Sequence, residues 1–129
     1  MTLHAALVIP DRELWTGEAR TVIAKTTEGD IGVLTGHSPV FGILTEGSVV
    51  EILTEDATVR AAVSGGFLSV ANDRVSILAT QAQLGGEIDV AEARQELASA
   101  LAEGQSGADD SPAVKYARAR LRAAGDQAS

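Results

Sequence analysis

A chain of 129 residues suits one domain of ordinary size with room for a small appendage, which excludes a two-domain enzyme. With no cysteine and two histidines, disulfide frameworks, thiol catalysis, iron–sulfur clusters and Cys-rich zinc sites are excluded. Eighteen acidic against ten basic residues give a net charge of −8, which repels a phosphate backbone and removes nucleic acid as the expected partner, leaving proteins or small molecules.

In chain order, Leu3, Ala5, Leu7 and Ile9 alternate along a segment that ends at Pro10-Asp11, the pattern of a strand entering a turn. Ala19 to Thr26, Ile31 to Leu34 and Val40 to Leu44 supply further short strands, separated by Glu28-Gly29-Asp30 and Gly36-His37-Ser38-Pro39. Val49 to Thr54 and Ala57 to Ser64 flank Glu55-Asp56, and Phe67 to Ala71 and Arg74 to Ala79 flank Asn72-Asp73. Each set reads as a hairpin. So many short strands predict a sandwich or barrel. Alternation fails at Val49-Val50 and Ala61-Ala62-Val63, which fits strands covered on both faces or at a sandwich corner.

The texture changes at Gly85-Gly86, dividing the chain into residues 1–86 and 87–129. Asp89 followed by Glu92 resembles a capping box, so a helix should begin there, with Val90, Ala93, Leu97, Ala100 and Leu101 on one face. Gly104 to Asp110 is a polar break. Ser111-Pro112 then reads as an N-cap with proline at the first helical position, and Val114, Ala117, Leu121 and Ala124 form a second stripe. The predicted fold is mainly β, a sandwich followed by a helical hairpin. Both stripes are Ala-rich, so the hairpin is expected to dock weakly. No apolar run approaches ~18 residues and Met1 to Pro10 lacks a signal peptide's features, so a cytosolic placement is expected.

The chemistry-bearing residues are sparse. His37, Ser38, Ser64 and Asp30 could be drawn as a hydrolase triad, but no nucleophile elbow surrounds either serine. Gly65-Gly66 lacks a phosphate-loop spacing and fits a turn with positive φ. Two isolated histidines make no metal site, and Asp109-Asp110 lie in a polar loop where solvation leaves them ordinary. No catalytic residue is assigned. Lys115, Arg118 and Arg122 fall within about 60° of one another on the second helix, with no acid between Pro112 and Gly125. In so acidic a chain this cationic stripe predicts an acidic partner surface. A free-standing sandwich that binds a small molecule, and a small hydrolase using His37, are alternative readings.

The segments TTEGDIGVLTGHSPV (Thr26 to Val40) and SGGFLSVANDRVSILA (Ser64 to Ala79) resemble the two most recognisable stretches of the epsilon subunit family of bacterial-type ATP synthases. ELWTGEA (Glu13 to Ala19) is similar to that family's strand and turn. The resemblance implies a non-catalytic rotor subunit with its sandwich bound to the gamma subunit and resting on the c ring. It would lie at the cytoplasmic face of the bacterial plasma membrane, touching the membrane only through the complex. It also implies a helical pair that lies folded on the sandwich or extends to the alpha and beta subunits of the catalytic head, where it restrains ATP hydrolysis. On this basis Glu28, Asp30 and His37 are expected to face the c ring, and Lys115, Arg118 and Arg122 to meet the head when the pair extends.

Thr35 stands where the family usually has proline. Some members bind ATP on the folded pair and show an Ile/Leu-Asp-x-x-Arg-Ala pattern, which here reads Ile88-Asp89-Val90-Ala91-Glu92-Ala93. Asp89 is the candidate nucleotide contact, yet Glu92 replaces the arginine, and a carboxylate there repels phosphate. The expectation is no cofactor, with Asp89 in a capping role. The second helix, about a dozen residues at ~1.5 Å rise, spans under 20 Å, which limits its reach.

Overall fold

The computed structural model describes residues 2–103 and 111–125, so the predicted break at Gly104 to Asp110 lies outside the described residues. Ten strands precede two helices: β1 (Leu3–Ile9), β2 (Arg12–Ala19), β3 (Thr21–Thr26), β4 (Gly29–Val33), β5 (Val40–Leu44), β6 (Ser48–Leu53), β7 (Thr58–Val63), β8 (Gly66–Ala71), β9 (Arg74–Ala79), β10 (Ala82–Leu84), α1 (Val90–Glu103) and α2 (Pro112–Ala123). The strands form the order β10-β7-β6-β3-β5-β8-β9-β1-β2, with β4 paired to β3. Between β3 and β5 the ladder narrows to the single pair Thr26↔Leu44. There the sheet folds over on itself, and the two layers enclose one core.

Period-two burial builds that core. Leu3, Ala5 and Leu7 from β1, Val22 and Ala24 from β3, Val50 and Ile52 from β6, Leu68 and Val70 from β8, and Val75, Ile77 and Ala79 from β9 point inward together. Where alternation fails, both faces are covered. Ala61 and Val63 enter the sandwich core, while Ala62 on the opposite face is sealed beneath the helices with Ile88, Ala93, Ala119, Leu121 and Ala123.

The local signals form as their chemistry requires. Asn72 and Asp73 take positive φ values of 53° and 60°, the conformation of a two-residue hairpin turn between twisted strands. The Glu55-Asp56 turn closes with Thr54 N–H donating to the Ala57 carbonyl at 2.8 Å. Asp89 Oδ1 accepts from the Glu92 amide at 3.1 Å, and Ser111 Oγ accepts from the Val114 amide at 3.2 Å.

Three features differ from the sequence expectation. Strand β2, suggested by the resemblance of Glu13 to Ala19 alone, is an outer strand with one fully buried residue, and β10, for which no strand was expected, has three half-buried residues; neither carries an apolar period to read. The segment from Ala19 to Thr26 is two elements, parted at Arg20, whose amide donates to the Leu53 carbonyl at 2.7 Å. The third concerns docking. Helix α1 is thinly covered as expected, but α2 buries Val114, Ala117, Ala119, Arg120, Leu121 and Ala123. Because α2 lies between the β6–β7 face and α1, it is covered on two sides, and a single stripe underestimates its burial.

Candidate functional site

Four of the exposed large apolar side chains, Phe41, Ile43, Phe67 and Leu78, converge on one outer face. Ile43 on β5 pairs with Phe67 on β8, Phe67 with Leu78 on β9, and Leu78 with Val8 on β1. Directly paired residues share a face, so these side chains form one row across four strands. Phe41, two residues from Ile43, stacks on Phe67 with ring centroids 5.1 Å apart. Phe41 is 63% exposed and Ile43 55%. Both phenylalanines of the chain therefore lie outside the core, and a shallow cleft of about 410 Å³ beside them is lined by Val8, Ile9, Pro10, Phe67 and Leu78.

Glu28 and Asp30 sit at the β3–β4 turn, exposed. They line a groove between β4 and β5 whose other wall carries Phe41 and Ile43, so two carboxylates border the apolar row. The turn is braced by Thr26, whose Oγ1 donates to the Gly29 carbonyl at 2.7 Å and accepts from the Glu28 amide at 3.2 Å. His37 is not brought to them. It follows the opposite end of β4, in a turn where the Gly36 amide donates to Asp73 Oδ1 at 2.7 Å. The triad drawing dissolves with it. His37 Nδ1 lies 2.7 Å from the Ser38 carbonyl, and Ser64 Oγ bonds Thr80 Oγ1 at 2.9 Å.

Of the cationic stripe, Lys115 and Arg118 are half-buried and Arg122 is exposed. Arg122 Nη2 donates to the Gly47 carbonyl at 3.3 Å. A Cβ at Gly47 would collide with the Lys115 backbone, so helix and turn touch there main chain to main chain. In the docked state part of the stripe is thus turned to the protein's own surface.

The sequence reading missed Arg120, which is 6% exposed. Its Nε donates to Gln83 Oε1 at 2.9 Å, Nη1 to Glu96 Oε1 at 2.6 Å, and Nη2 to Glu92 Oε1 at 3.3 Å. Half of the capping box is therefore redirected: Asp89 caps, while the Glu92 carboxylate turns to Arg120. Tyr116 stands beside them, its ring centroid 5.9 Å from the Arg120 guanidinium carbon. Burial pushes its phenol above the ordinary 10.0, with Arg120 opposing and Glu96 reinforcing the shift. Partners 24 to 37 residues away leave no local signal. The aromatic row was missed because VFGIL reads as apolar on both faces.

Among the described residues no cluster of His, Asp and Glu could hold a metal ion, and no helix is long and apolar enough to cross a membrane. A cleft of about 630 Å³ between the helices has Glu92, Glu96 and Arg120 as its charged lining residues. Among the described residues that donor set does not fit a nucleotide, because the one cation lining the cleft is already paired with two carboxylates.

Residues 2–85 match the family model described as "ATP synthase, Delta/Epsilon chain, beta-sandwich domain". The chain is 54% identical over 125 residues to the ATP synthase epsilon chain of Thermobifida fusca, covering 95% of this chain and 91% of that one. With the ATP synthase epsilon chain of Streptomyces coelicolor it shares 49% identity over 122 residues, 95% and 94% of the two chains. A chain in the cryo-EM structure of the Euglena gracilis mitochondrial ATP synthase, OSCP/F1/c-ring, superposes with a TM-score of 0.71 at 25% identity, over 93% of this chain and 75% of that one. A chain of the Tetrahymena thermophila mitochondrial ATP synthase central stalk and c ring shares the fold at a TM-score of 0.59 and 16% identity, over 96% and 91% of the two chains. Sandwich, helical pair and this depth of identity along nearly the whole length place the chain in the ATP synthase epsilon chain family.

Proposed function

We propose that this chain is a non-catalytic rotor subunit of a proton-translocating ATP synthase at the cytoplasmic face of a bacterial membrane, linking the c ring to the catalytic head through gamma. The row of Phe41, Ile43, Phe67 and Leu78 carries the reading. A sheet face that holds large apolar side chains in water is built to be covered. Covering it removes roughly half of four such side chains from water, on the order of 4 kcal/mol at ~1.5–3 kcal/mol for each side chain fully buried. The gamma subunit is the proposed occupant. Glu28 and Asp30, beside the row at one end of the sandwich, are the proposed c-ring contacts. His37, at the other end of β4, belongs to a different part of the partner surface.

The helices supply regulation. Docked, α2 keeps Lys115 and Arg122 against the Gly47 turn; extended, it would offer Lys115, Arg118 and Arg122 to acidic surfaces of alpha and beta. Three aligned cations bias such a two-state element by roughly 1–2 kcal/mol, enough to regulate hydrolysis without locking it. No nucleotide or other cofactor takes part in this reading.

The test is a pull-down of the tagged chain from native bacterial membranes. Recovery of the other ATP synthase subunits in fixed stoichiometry is the expected result. Recovery of a free monomer with no such subunits overturns the rotor reading.

A further inference from the structure

Three elements meet at one side chain. Arg120 of α2 reaches Gln83 of β10 at 2.9 Å and two carboxylates one turn apart on α1, Glu96 at 2.6 and 3.0 Å and Glu92 at 3.3 Å. The guanidinium side chain is 7% exposed, while Glu92 and Glu96 are 61% and 47% exposed. The cation is therefore sealed in and the anions close over it from the solvent side. Among the described lining residues of the cleft no second cation is present. An entering phosphate would have to displace both carboxylates and leave them unpaired beside its own charge.

We infer that Arg120 is an internal latch that holds the helical pair on the sandwich, with Glu92 and Glu96 in the place of a bound anion. Docking is then a property of the chain alone and needs no nucleotide. A buried arginine that loses its carboxylates is left charged and under-compensated, so the docked state weakens sharply when they go. Steric contact is a separate requirement. Gly85 faces the Ala123 carbonyl so closely that any Cβ there would collide with it. Gly85 has no positive φ, so Gly85→Ala undocks α2 through contact alone, with every charge in place.

The experiment is amide hydrogen exchange on the full chain, comparing residues of α1 and α2 with those of β8 and β9. Variants are Arg120→Met, the double Glu92→Gln/Glu96→Gln, and Gly85→Ala as the steric reference. The latch predicts that both charge variants speed exchange in the helices by about tenfold or more, leave β8 and β9 unchanged, and resemble Gly85→Ala. Magnesium-ATP added at millimolar concentration leaves wild-type helix exchange unchanged. Helix exchange unaltered in the charge variants while Gly85→Ala raises it overturns the latch, as does equal acceleration throughout the sandwich. Slowing of helix exchange by magnesium-ATP overturns the replacement of a bound anion. A role for this latch in regulation rests on the rotor reading, but the latch belongs to the isolated chain. Its failure and the failure of membrane recovery are separate results.

Discussion

Tyr116 is the chain's one tyrosine, and burial raises its phenol above 10.0 because α2 is docked. The folded state favours the neutral ring, so Tyr116 supports docking below the ordinary value. That support is lost as pH rises through the higher value of the folded state. Titration of the phenolate absorbance should give a midpoint above 10.0 for the intact chain and a return toward 10.0 in Gly85→Ala. Equal midpoints in the two proteins would show that docking does not set the shift. At this scale the sequence was readable where a residue acts on its near neighbours. Asp89 and Ser111 bond three residues along the chain, and the Asn72-Asp73 turn is set by its own positive φ values, so their chemistry is visible in one dimension. Arg120 acts across β10, α1 and α2, and only folding brings those groups together.

Among the elements, strands buried on one face were legible and those lacking a period were not. Val75, Ile77 and Ala79 alternate cleanly and were read as β9, whereas the half-buried β10 gives no pattern. The helices divide in the same way. A stripe of Val114, Ala117 and Leu121 was readable, but the further burial of α2, through Ala119 and Ala123, exists because the helix lies between the β6–β7 face and α1. The sandwich core draws no residue from either helix, which gives two energetic units. Leu68→Ala, in the first, should lower stability of the sandwich by about 2–5 kcal/mol. Leu121→Ala, in the second, should leave the sandwich transition in place and loosen only the helical pair. Thermal melts followed by sandwich and helix probes separate the two, and a single shared transition lowered equally by both substitutions would refute the division. Truncation after Asp110 carries the same division into function: assembly and ATP synthesis should persist while ATP hydrolysis by the whole enzyme rises. Neutralising Lys115, Arg118 and Arg122 together should reproduce much of that rise, and raised ionic strength should mimic it. Hydrolysis unchanged by truncation would remove the regulatory role and return the stripe to a solvated face.

For the whole molecule, the family was legible in two long segments, but the surface that would meet a partner was not. Outward Phe41 and Ile43 alternate with inward-facing residues that are themselves small or apolar, so nothing in the string separates a face for a partner from a face for the core. The fold separates them, by setting Val8, Ile43, Phe67 and Leu78 in register on the outside of one layer. The most direct measurement is proton-driven ATP synthesis by membranes depleted of this chain and reconstituted with it. The wild-type chain should restore synthesis. Phe41→Asp combined with Phe67→Asp should lower incorporation and synthesis by roughly tenfold or more, since each ~1.4 kcal/mol is a factor of ten, while the isolated variant melts with the wild type because both rings lie outside the core. Restoration by the double variant to the wild-type level would contradict a rotor subunit docked through this face.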